Sequence, residues 1–272
     1  MVRSLWTAAS GMIAQQTNVD TIANNLANVN STGYKSEVAE FKSLLYQTIQ
    51  AKTTTANGEN KPVGAQVGLG VRNSAITSIF KQGSMLASES DTAFAISGEG
   101  FFALQNQDGE TVYTRNGNFL FTTASNGGMM LANSDGLPVL DSKGEPIVLS
   151  REFVASRIQV TADGQLTYPD ANNNPQPIGV QIGVFQFTNP SGLEKIDSTM
   201  YMESAASGAA INEAENDNVQ KSEVIQGYLE GSSVQVADEM VNLIVAQRAY
   251  EMNSRAITTT DEMLQQANQL KR

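Results

Sequence analysis

The 272-residue sequence contains no cysteine and no histidine. Without cysteine there are no disulfides, thiol nucleophiles or thiolate metal ligands, although this leaves the cellular compartment open. Without histidine the chain lacks the side chain most used for acid–base catalysis near neutral pH and for binding transition metals. We therefore expect no catalytic residues, no metal site and no cofactor.

Positive charge and long apolar runs are also scarce. The formal net charge is -11, which argues against nucleic acid as a partner, because binding to nucleic acid depends on basic patches. No apolar run approaches the roughly 18 residues that a membrane-spanning helix needs. The opening MVRSLWTAASGM lacks the apolar core of a secretory signal. These features predict a protein that is cytoplasmic or is exported without a cleaved signal.

Apolar residues recur at spacings of three and four at both ends of the chain. This spacing predicts a long helix at each terminus, and the two apolar seams should pack together, since an isolated amphipathic helix is only marginally stable in water. Gly33 is the predicted stop of the first helix, because glycine accepts left-handed backbone at little cost. The seam residues are Leu5, Ala8, Met12, Gln15, Val19, Ile22, Leu26 and Val29, then Val236, Met240, Leu243, Gln247, Tyr250, Ser254, Ile257, Asp261 and Leu264.

The middle of the chain has a different pattern. Turn signals such as Asp108-Gly109, Asp135-Gly136 and Asp163-Gly164 separate short runs rich in β-forming residues. The runs are FFALQ (101–105), TVYT (111–114), FLFTT (119–123), IVL (147–149), LTY (166–168) and IGVFQF (182–187). The predicted fold class is therefore α+β: a coiled-coil-like pair of terminal helices with a mainly antiparallel β region inserted between them.

Charge is concentrated in the middle of the chain. Residues 1–33 are neutral overall and residues 233–272 carry -1, which leaves -10 for residues 34–232. The first helix instead carries uncharged amides beside its seam, at Asn18, Asn24, Asn25 and Asn28. Amides suit a second protein interface, because they find partners at a lower cost than charges do. They also suit an ordinary solvated polar face, and both interpretations stay open.

Several smaller motifs are interpreted as structural and not as functional sites. Gly98-Glu99-Gly100 matches the glycine pattern of dinucleotide sites, but a strand-like run follows it instead of a helix. We interpret it as a close approach between strands. The stretch 67–71, VGLGV, is likewise interpreted as a strand with close backbone packing. The polar segment 51–61, AKTTTANGENK, predicts a loop or linker.

The two ends resemble the terminal signatures of the bacterial flagellar rod and hook family. The N-terminal match is SLWTAASGMIAQQTNVDTIANNLANVNSTGYK (4–35), and the C-terminal match is QGYLEGSSVQVADEMVNLIVAQRAYEMNSRAITTTDEMLQQANQL (226–270). Internal matches are LLYQTIQ (44–50), VGLGVR (67–72), ISGEGFF (96–102) and YTRNGNF (113–119). Length, LLYQTIQ and AQRAYEMNSRAI (246–257) are most similar to the members that build the distal part of the rod.

This resemblance implies a structural axial protein that leaves the cell through the flagellar export apparatus and polymerises in the periplasm. The product would be a hollow, rigid tube that carries torque from motor to hook and encloses the export channel. The terminal helices (1–33 and 233–272) would form the inner tube. Residues 34–90 and 222–232 would form a connecting region, and residues 91–221 an outer β domain.

The resemblance also implies the partners and the assembly interface. The partners would be further copies of the chain, proximal rod proteins, the hook protein, the rings of the outer membrane and peptidoglycan, and the export apparatus. The interface would pack Leu5, Met12, Val19, Ile22, Leu26 and Val29 against Val236, Met240, Leu243, Tyr250, Ile257 and Leu264, in part between subunits. Three alternatives stay open: a proximal rod or hook-type subunit, an acidic β-domain binding module with a private helical hairpin, and an enzyme with a polar pocket in the β region.

Overall fold

The computed structural model describes residues 2–50, 64–124, 127–170, 174–216 and 219–270. The predicted loop at 51–61 lies outside these ranges. The chain divides into two compact units. Unit 1 comprises Met1–Ala27, Glu37–Thr77 and Gln235–Arg272, and unit 2 comprises Asn28–Ser36 and Ser78–Val234. Both terminal segments are helical and the middle is built from short strands, so the predicted α+β class is confirmed.

In the part of unit 1 that the structure describes there are two long helices and four strands. Helix α1 spans Val2–Ala27 and helix α2 spans Val236–Gln269, and the two helices contact each other. Acidic side chains in the first turn of α2, Asp238 and Glu239, complement the positive end of its dipole. The strands are β1 (Glu37–Ser43), β2 (Tyr46–Gln50), β3 (Ala65–Gly68) and β4 (Val71–Ser78), with β1 beside β4 and β2 antiparallel to β3.

Among its described residues, unit 2 has sixteen short strands and two 3-10 turns, Ala155–Arg157 and Pro190–Gly192. The strands are β5 (Met85–Ala87), β6 (Phe94–Ser97), β7 (Phe101–Gln105), β8 (Thr111–Thr114), β9 (Leu120–Thr123), β10 (Met129–Ala132), β11 (Val148–Leu149), β12 (Gln159–Val160), β13 (Gln165–Pro169), β14 (Pro175–Gln181), β15 (Val184–Gln186), β16 (Glu194–Lys195), β17 (Met200–Met202), β18 (Ile211–Asn212), β19 (Glu223–Gln226) and β20 (Tyr228–Glu230). The largest sheet has the order β16-β17-β8-β7-β15-β18, and its pairings are antiparallel.

The core of unit 2 lies on both faces of strand β7. Phe102 and Leu104 point into an aliphatic cluster, while Phe101 and Ala103 point into an aromatic one. In the second cluster the rings meet edge to face, a favourable geometry for aromatic pairs. Burial, with the nearby Glu203 carboxylate, raises the pKa of Tyr113 to about 12. Strict alternation along one strand thus fills two cores.

Gly33 is not the residue at which the first helix stops. Helix α1 ends at Ala27, and hydrogen-bonded turns follow, with Ser31 N–H donating to the Asn28 carbonyl at 3.1 Å. Gly33 lies in the next turn, in unit 2, where Tyr34 N–H donates to the Ser31 carbonyl at 3.4 Å, and it has a φ of 71°. A Cβ there would lie 2.5 Å from the backbone nitrogen of Asn116. Its lack of a side chain therefore serves this close approach as well as the left-handed backbone.

The stretch 67–71 is also different from its prediction as one strand. It holds the end of β3, a break of two residues, and the start of β4. Gly70 in this break has a φ of 115°, and the hydroxyl of Ser10 on α1 occupies the space that a Cβ would need. Ser10 Oγ accepts a hydrogen bond from Val71 N–H at 3.3 Å. Gly70 therefore lets the chain pass close to helix α1 between the two strands.

The Asn25 amide is used inside the subunit, which corrects its prediction as an interface amide. It is 1% exposed. Its Nδ2 donates to the Glu37 carbonyl at 2.8 Å and to Oε1 of Glu239 at 2.9 Å. Its Oδ1 accepts from Glu37 N–H at 2.9 Å. One side chain on α1 thereby holds the start of β1 and the first turn of α2.

We predict that Gly33→Ala destabilises unit 2 more than Gly109→Ala does. Both glycines are left-handed, and alanine in that conformation costs about 1–2 kcal/mol. A Cβ at Gly109 meets nothing within 4 Å, so this matched variant measures the backbone cost alone. Denaturant unfolding followed by near-UV circular dichroism gives the difference. Equal losses of stability would contradict the role of close approach at Gly33.

We predict that Asn25→Leu destabilises the helical pair by about 1–3 kcal/mol, because it removes three hydrogen bonds between the buried Asn25 amide and part-buried groups of Glu37 and Glu239. Asn24→Ala, on the exposed side of the same helix turn, should change stability by no more than about 0.5 kcal/mol. Far-UV circular dichroism during denaturant unfolding reports the helices. A loss for Asn25→Leu no larger than for Asn24→Ala would refute the bridging role.

Candidate assembly interface

The helices of unit 1 approach each other through small side chains. On α1 the buried residues include Ala8, Ala14 and Ile22, and on α2 Ala246 and Thr260. Gly11 supports the same close approach, since a Cβ there would lie 2.9 Å from Nδ2 of Asn253. Small side chains leave little apolar volume between the helices, so most of their large apolar residues lie elsewhere on the helix surfaces.

The twelve residues of the predicted assembly interface fall into three groups by exposure. Ile22 is buried. Leu5, Met12, Val19, Leu26, Val29, Leu243, Ile257 and Leu264 are half-buried. Val236, Met240 and Tyr250 are exposed, at 42%, 53% and 42%. The single chain therefore leaves part of the predicted seam open to solvent.

The predicted seam leaves out a second apolar face on α2. Val241, Ile244, Val245, Met252 and Met263 are all exposed, Val245 to 62%. At about 100° per residue they fall within one arc of about 100°, on the side of the helix opposite Ala246. The arc also contains Arg248, Arg255 and Glu262, so this face is continuously apolar only at its start, over Val241, Ile244 and Val245. The signal was present in the run Leu243-Ile244-Val245, which is wider than a seam of two positions per heptad. An α-helix that is apolar on two sides is one that is buried on two sides.

Helix α1 repeats this arrangement. Trp6 and Ile13 are seven residues apart, so they lie on one line of the helix, and they are 71% and 67% exposed. Their line lies on the opposite side from Ile22. Strand β2 adds Tyr46 and Ile49, both exposed, and Leu45 just before it is 84% exposed. Exposed apolar surface on this scale marks a protein interaction site in a soluble protein.

The remaining predicted amides have different surroundings. Asn24 is exposed and donates to a carboxylate oxygen of Glu37 at 3.2 Å. Asn28 is half-buried, and its side-chain oxygen accepts from the Ser31 hydroxyl at 3.1 Å. Asn18 is half-buried on the same face of α1 as Asn25. Of the four, Asn24 is the one whose side chain is most open to a second subunit.

The described residues provide little for catalysis or ion binding. Within ranges 2–50, 64–124, 127–170, 174–216 and 219–270, no group of three or more acidic side chains is arranged to hold a metal ion. Gly98-Glu99-Gly100 leads into β7 and not into a helix. A Cβ at Gly100 would lie 2.5 Å from Oε1 of Glu213, so the predicted close packing at this glycine is confirmed. In the part of the chain that the structure describes, no helix is long and apolar enough to cross a membrane.

Three family models match separate parts of the chain. The model described as "Flagella basal body rod protein" matches residues 5–35. The "Flagellar hook protein FlgE/F/G D1 domain" matches residues 95–168. The "Flagellar basal body rod FlgEFG protein C-terminal" model matches residues 225–270. The first and last contain most of α1 and all of α2, the helices with exposed apolar faces.

Similar proteins match along almost the whole length. The flagellar basal-body rod protein FlgG of Borreliella burgdorferi is 44% identical, with 100% of both chains covered. Proteins of the same name from Agrobacterium fabrum and Bacillus subtilis are 40% and 37% identical, covering 96% and 100% of this chain and 97% and 100% of their own.

Among solved structures, the Helicobacter pylori flagellar hook protein FlgE2 matches 71% of this chain and 56% of its own, with 15% identity and a TM-score of 0.23. That likeness is too weak to inform the fold. These three relatives from Borreliella burgdorferi, Agrobacterium fabrum and Bacillus subtilis are all named as rod proteins and are at least 37% identical to this chain. The chain therefore belongs to the flagellar basal-body rod protein family, most like FlgG, and is a structural protein of the flagellar rod and not an enzyme.

Proposed function

We propose that this protein polymerises through its terminal helices into the hollow, rigid distal rod, which carries torque to the hook and encloses the export channel. The observation that carries the proposal is the second apolar face of each helix, which the single chain leaves exposed. The FlgG-type relatives favour the distal rod over a proximal rod or hook-type subunit.

Assembly would bury the exposed faces. Fully burying an aliphatic side chain contributes about 1.5–3 kcal/mol, so burying the open half of Ile244 or Val245 contributes on the order of 1 kcal/mol each. Trp6 and Ile13 add a similar term on α1. A binding module with a private helical hairpin would have no reason to keep these side chains in water.

The predicted coiled-coil geometry belongs to the assembled state in this proposal. Within the chain, small residues such as Ala246 face α1. Val236, Met240 and Tyr250 would complete their contacts against Leu5, Met12, Val19 or Leu26 of neighbouring subunits. Knobs-into-holes packing of this kind needs side chains from more than one helix around each position.

The proposed setting follows from the family. The subunit would leave the cell through the flagellar export apparatus, assemble in the periplasm on proximal rod proteins and receive the hook protein at its end. It would turn inside the rings of the outer membrane and peptidoglycan. The acidity of residues 34–232, -10 overall, would keep the rod from adhering to its surroundings, since hydrated surfaces of high charge resist association.

We predict that assembly shifts the fluorescence of the protein to shorter wavelength. Trp6 is the single tryptophan of the chain and is 71% exposed in the subunit, so its emission reports contact at α1 without a label. The emission spectrum of the dilute subunit is compared with that of the sedimented polymer, and electron microscopy verifies that the polymer consists of tubes. Tubes whose emission matched that of the free subunit would exclude the Trp6 face from the interface.

We predict that Ile244→Asp prevents assembly and leaves the subunit folded. In the subunit the side chain is 56% exposed, so stability should change by about 0.5 kcal/mol or less. In the polymer an unpaired carboxylate at an apolar contact carries a large desolvation cost. Ile244→Leu, which keeps the apolar contact, is the matched control and should assemble. The test compares the motility of bacteria that carry each variant and the melting temperature of each purified variant. Normal swimming of bacteria with Ile244→Asp would refute the interface.

A further inference from the structure

The chain passes between its two units at four places, and three of them converge in unit 2. The four places are Ala27–Asn28, Ser36–Glu37, Thr77–Ser78 and Val234–Gln235. Ser36 N–H donates to Oγ of Ser233 at 2.9 Å, and Ile79 N–H donates to the Ser36 carbonyl at 2.8 Å. Ser233 N–H donates to the Tyr34 carbonyl at 3.1 Å. Residues beside three crossings are thus bonded to one another.

A buried cluster of charges lies among these segments. Lys35 Nζ is 2.6 Å from Oε1 of Glu230, and Arg115 Nη1 is 3.3 Å from Oε2 of the same carboxylate. The three residues are between 1% and 3% exposed. Lys35 precedes the crossing at Ser36, and Glu230 precedes the crossing at Val234. The carboxylate therefore joins two of the segments directly.

Further hydrogen bonds attach the third segment and the β structure. Lys35 Nζ also donates to the Lys81 carbonyl at 2.8 Å, and Gly83 N–H donates to Oε1 of Glu230 at 2.9 Å. Both backbone groups belong to the segment that enters unit 2 after Thr77. Arg115 Nη2 donates to the carbonyl of Gly98, at the turn before β7, at 2.6 Å. The cluster therefore ties three segments to the main sheet.

Stability alone does not account for this cluster. Burial lowers the pKa of Lys35, and the positive charge of Arg115 adds to that effect, although Glu230 opposes it. Burial likewise lowers the pKa of Arg115. Two cations share one carboxylate, and Arg115 Nε has no hydrogen-bond partner among the residues the structure describes. Apolar residues of similar volume are often as good as such a buried pair, or better.

We propose that Lys35, Glu230 and Arg115 form a latch that fixes the spacing of the three crossings, and that rod assembly needs this spacing while the folding of unit 2 does not. The proposal rests on the proposed function. Charged hydrogen bonds tolerate few geometries, whereas apolar contacts can slide. The latch therefore fixes the positions at which the chain leaves unit 2 toward β1 and toward α2. Load passing between the units along the chain passes through these crossings.

The first test replaces the latch with apolar side chains in the full-length protein, as Lys35→Met, Arg115→Met and Glu230→Leu together. Near-UV circular dichroism, dominated in unit 2 by its buried aromatic cluster, should show a lower melting temperature, because the carbonyls of Lys81 and Gly98 and the N–H of Gly83 lose their partners. The transition should stay cooperative and lie above the temperature of the swimming assay. In the source bacterium without its own copy of the gene, the variant should fail to restore swimming. A variant that no longer melted cooperatively, or that swam normally, would overturn the proposal.

The second test restores the spacing without the charges. The hydroxyl oxygens of Ser36 and Ser233 are 3.5 Å apart, and the chain has no other cysteine to compete. Ser36→Cys and Ser233→Cys, added to the triple variant, should restore swimming once oxidised and lose it again with a thiol reductant. Ser36→Cys alone is the control and should restore nothing. Failure of the oxidised protein, with the disulfide verified by mass spectrometry, would reject the latch.

These outcomes distinguish a failure of the latch proposal from a failure of the proposed function. If the unaltered gene did not restore rods and swimming, the proposed function would be wrong. If it did and the triple variant did as well, only the latch would be wrong.

Discussion

The structure depends on apolar surface that one chain cannot bury by itself. Helix α2 has small buried residues on one side and exposed Val241, Ile244 and Val245 on the other. The contact between the two helices stabilises the pair only in part, because its small side chains bury little apolar area. In the proposed polymer, the rest of the stabilisation would come from neighbouring subunits. This surplus of apolar surface is what makes the subunit a building block.

The constraint explains why the two units differ in composition. Unit 2 buries most of its large apolar residues in its own core, with Phe101 and Phe102 on opposite faces of β7, so this core is complete within one chain. Most of the large exposed apolar residues belong to unit 1. Nearly all the net charge falls within residues 34–232, which keeps the free subunit soluble while leaving the helices nearly neutral. Charges on the helices would have to be desolvated in every contact of the polymer.

The sequence predicted what depends on local pattern. The runs 101–105 and 111–114 are strands β7 and β8 to the residue, and the glycines of the Asp-Gly turns at 109, 136 and 164 have positive φ as such turns need. The helices followed from spacing. The predictions that failed concern residues whose roles depend on contacts far away in the sequence. Gly33 needs its small size because of Asn116, and Asn25 is buried because Glu37 and Glu239 come to it.

The same limit explains why the latch was invisible. Lys35 and Glu230 are 195 residues apart, and each alone looks like a solvated surface charge. Buried polar groups at Asn25 and at Glu230 nevertheless do a similar job in the two units, each joining segments far apart in the chain. Apolar faces supply the energy of association but tolerate sliding and rotation. Directional polar contacts restrict the geometry instead, and a tube built from many copies needs every subunit to have the same geometry. In the proposed rod, the exposed faces would make subunits associate, while the buried polar contacts would set the shape in which they do so.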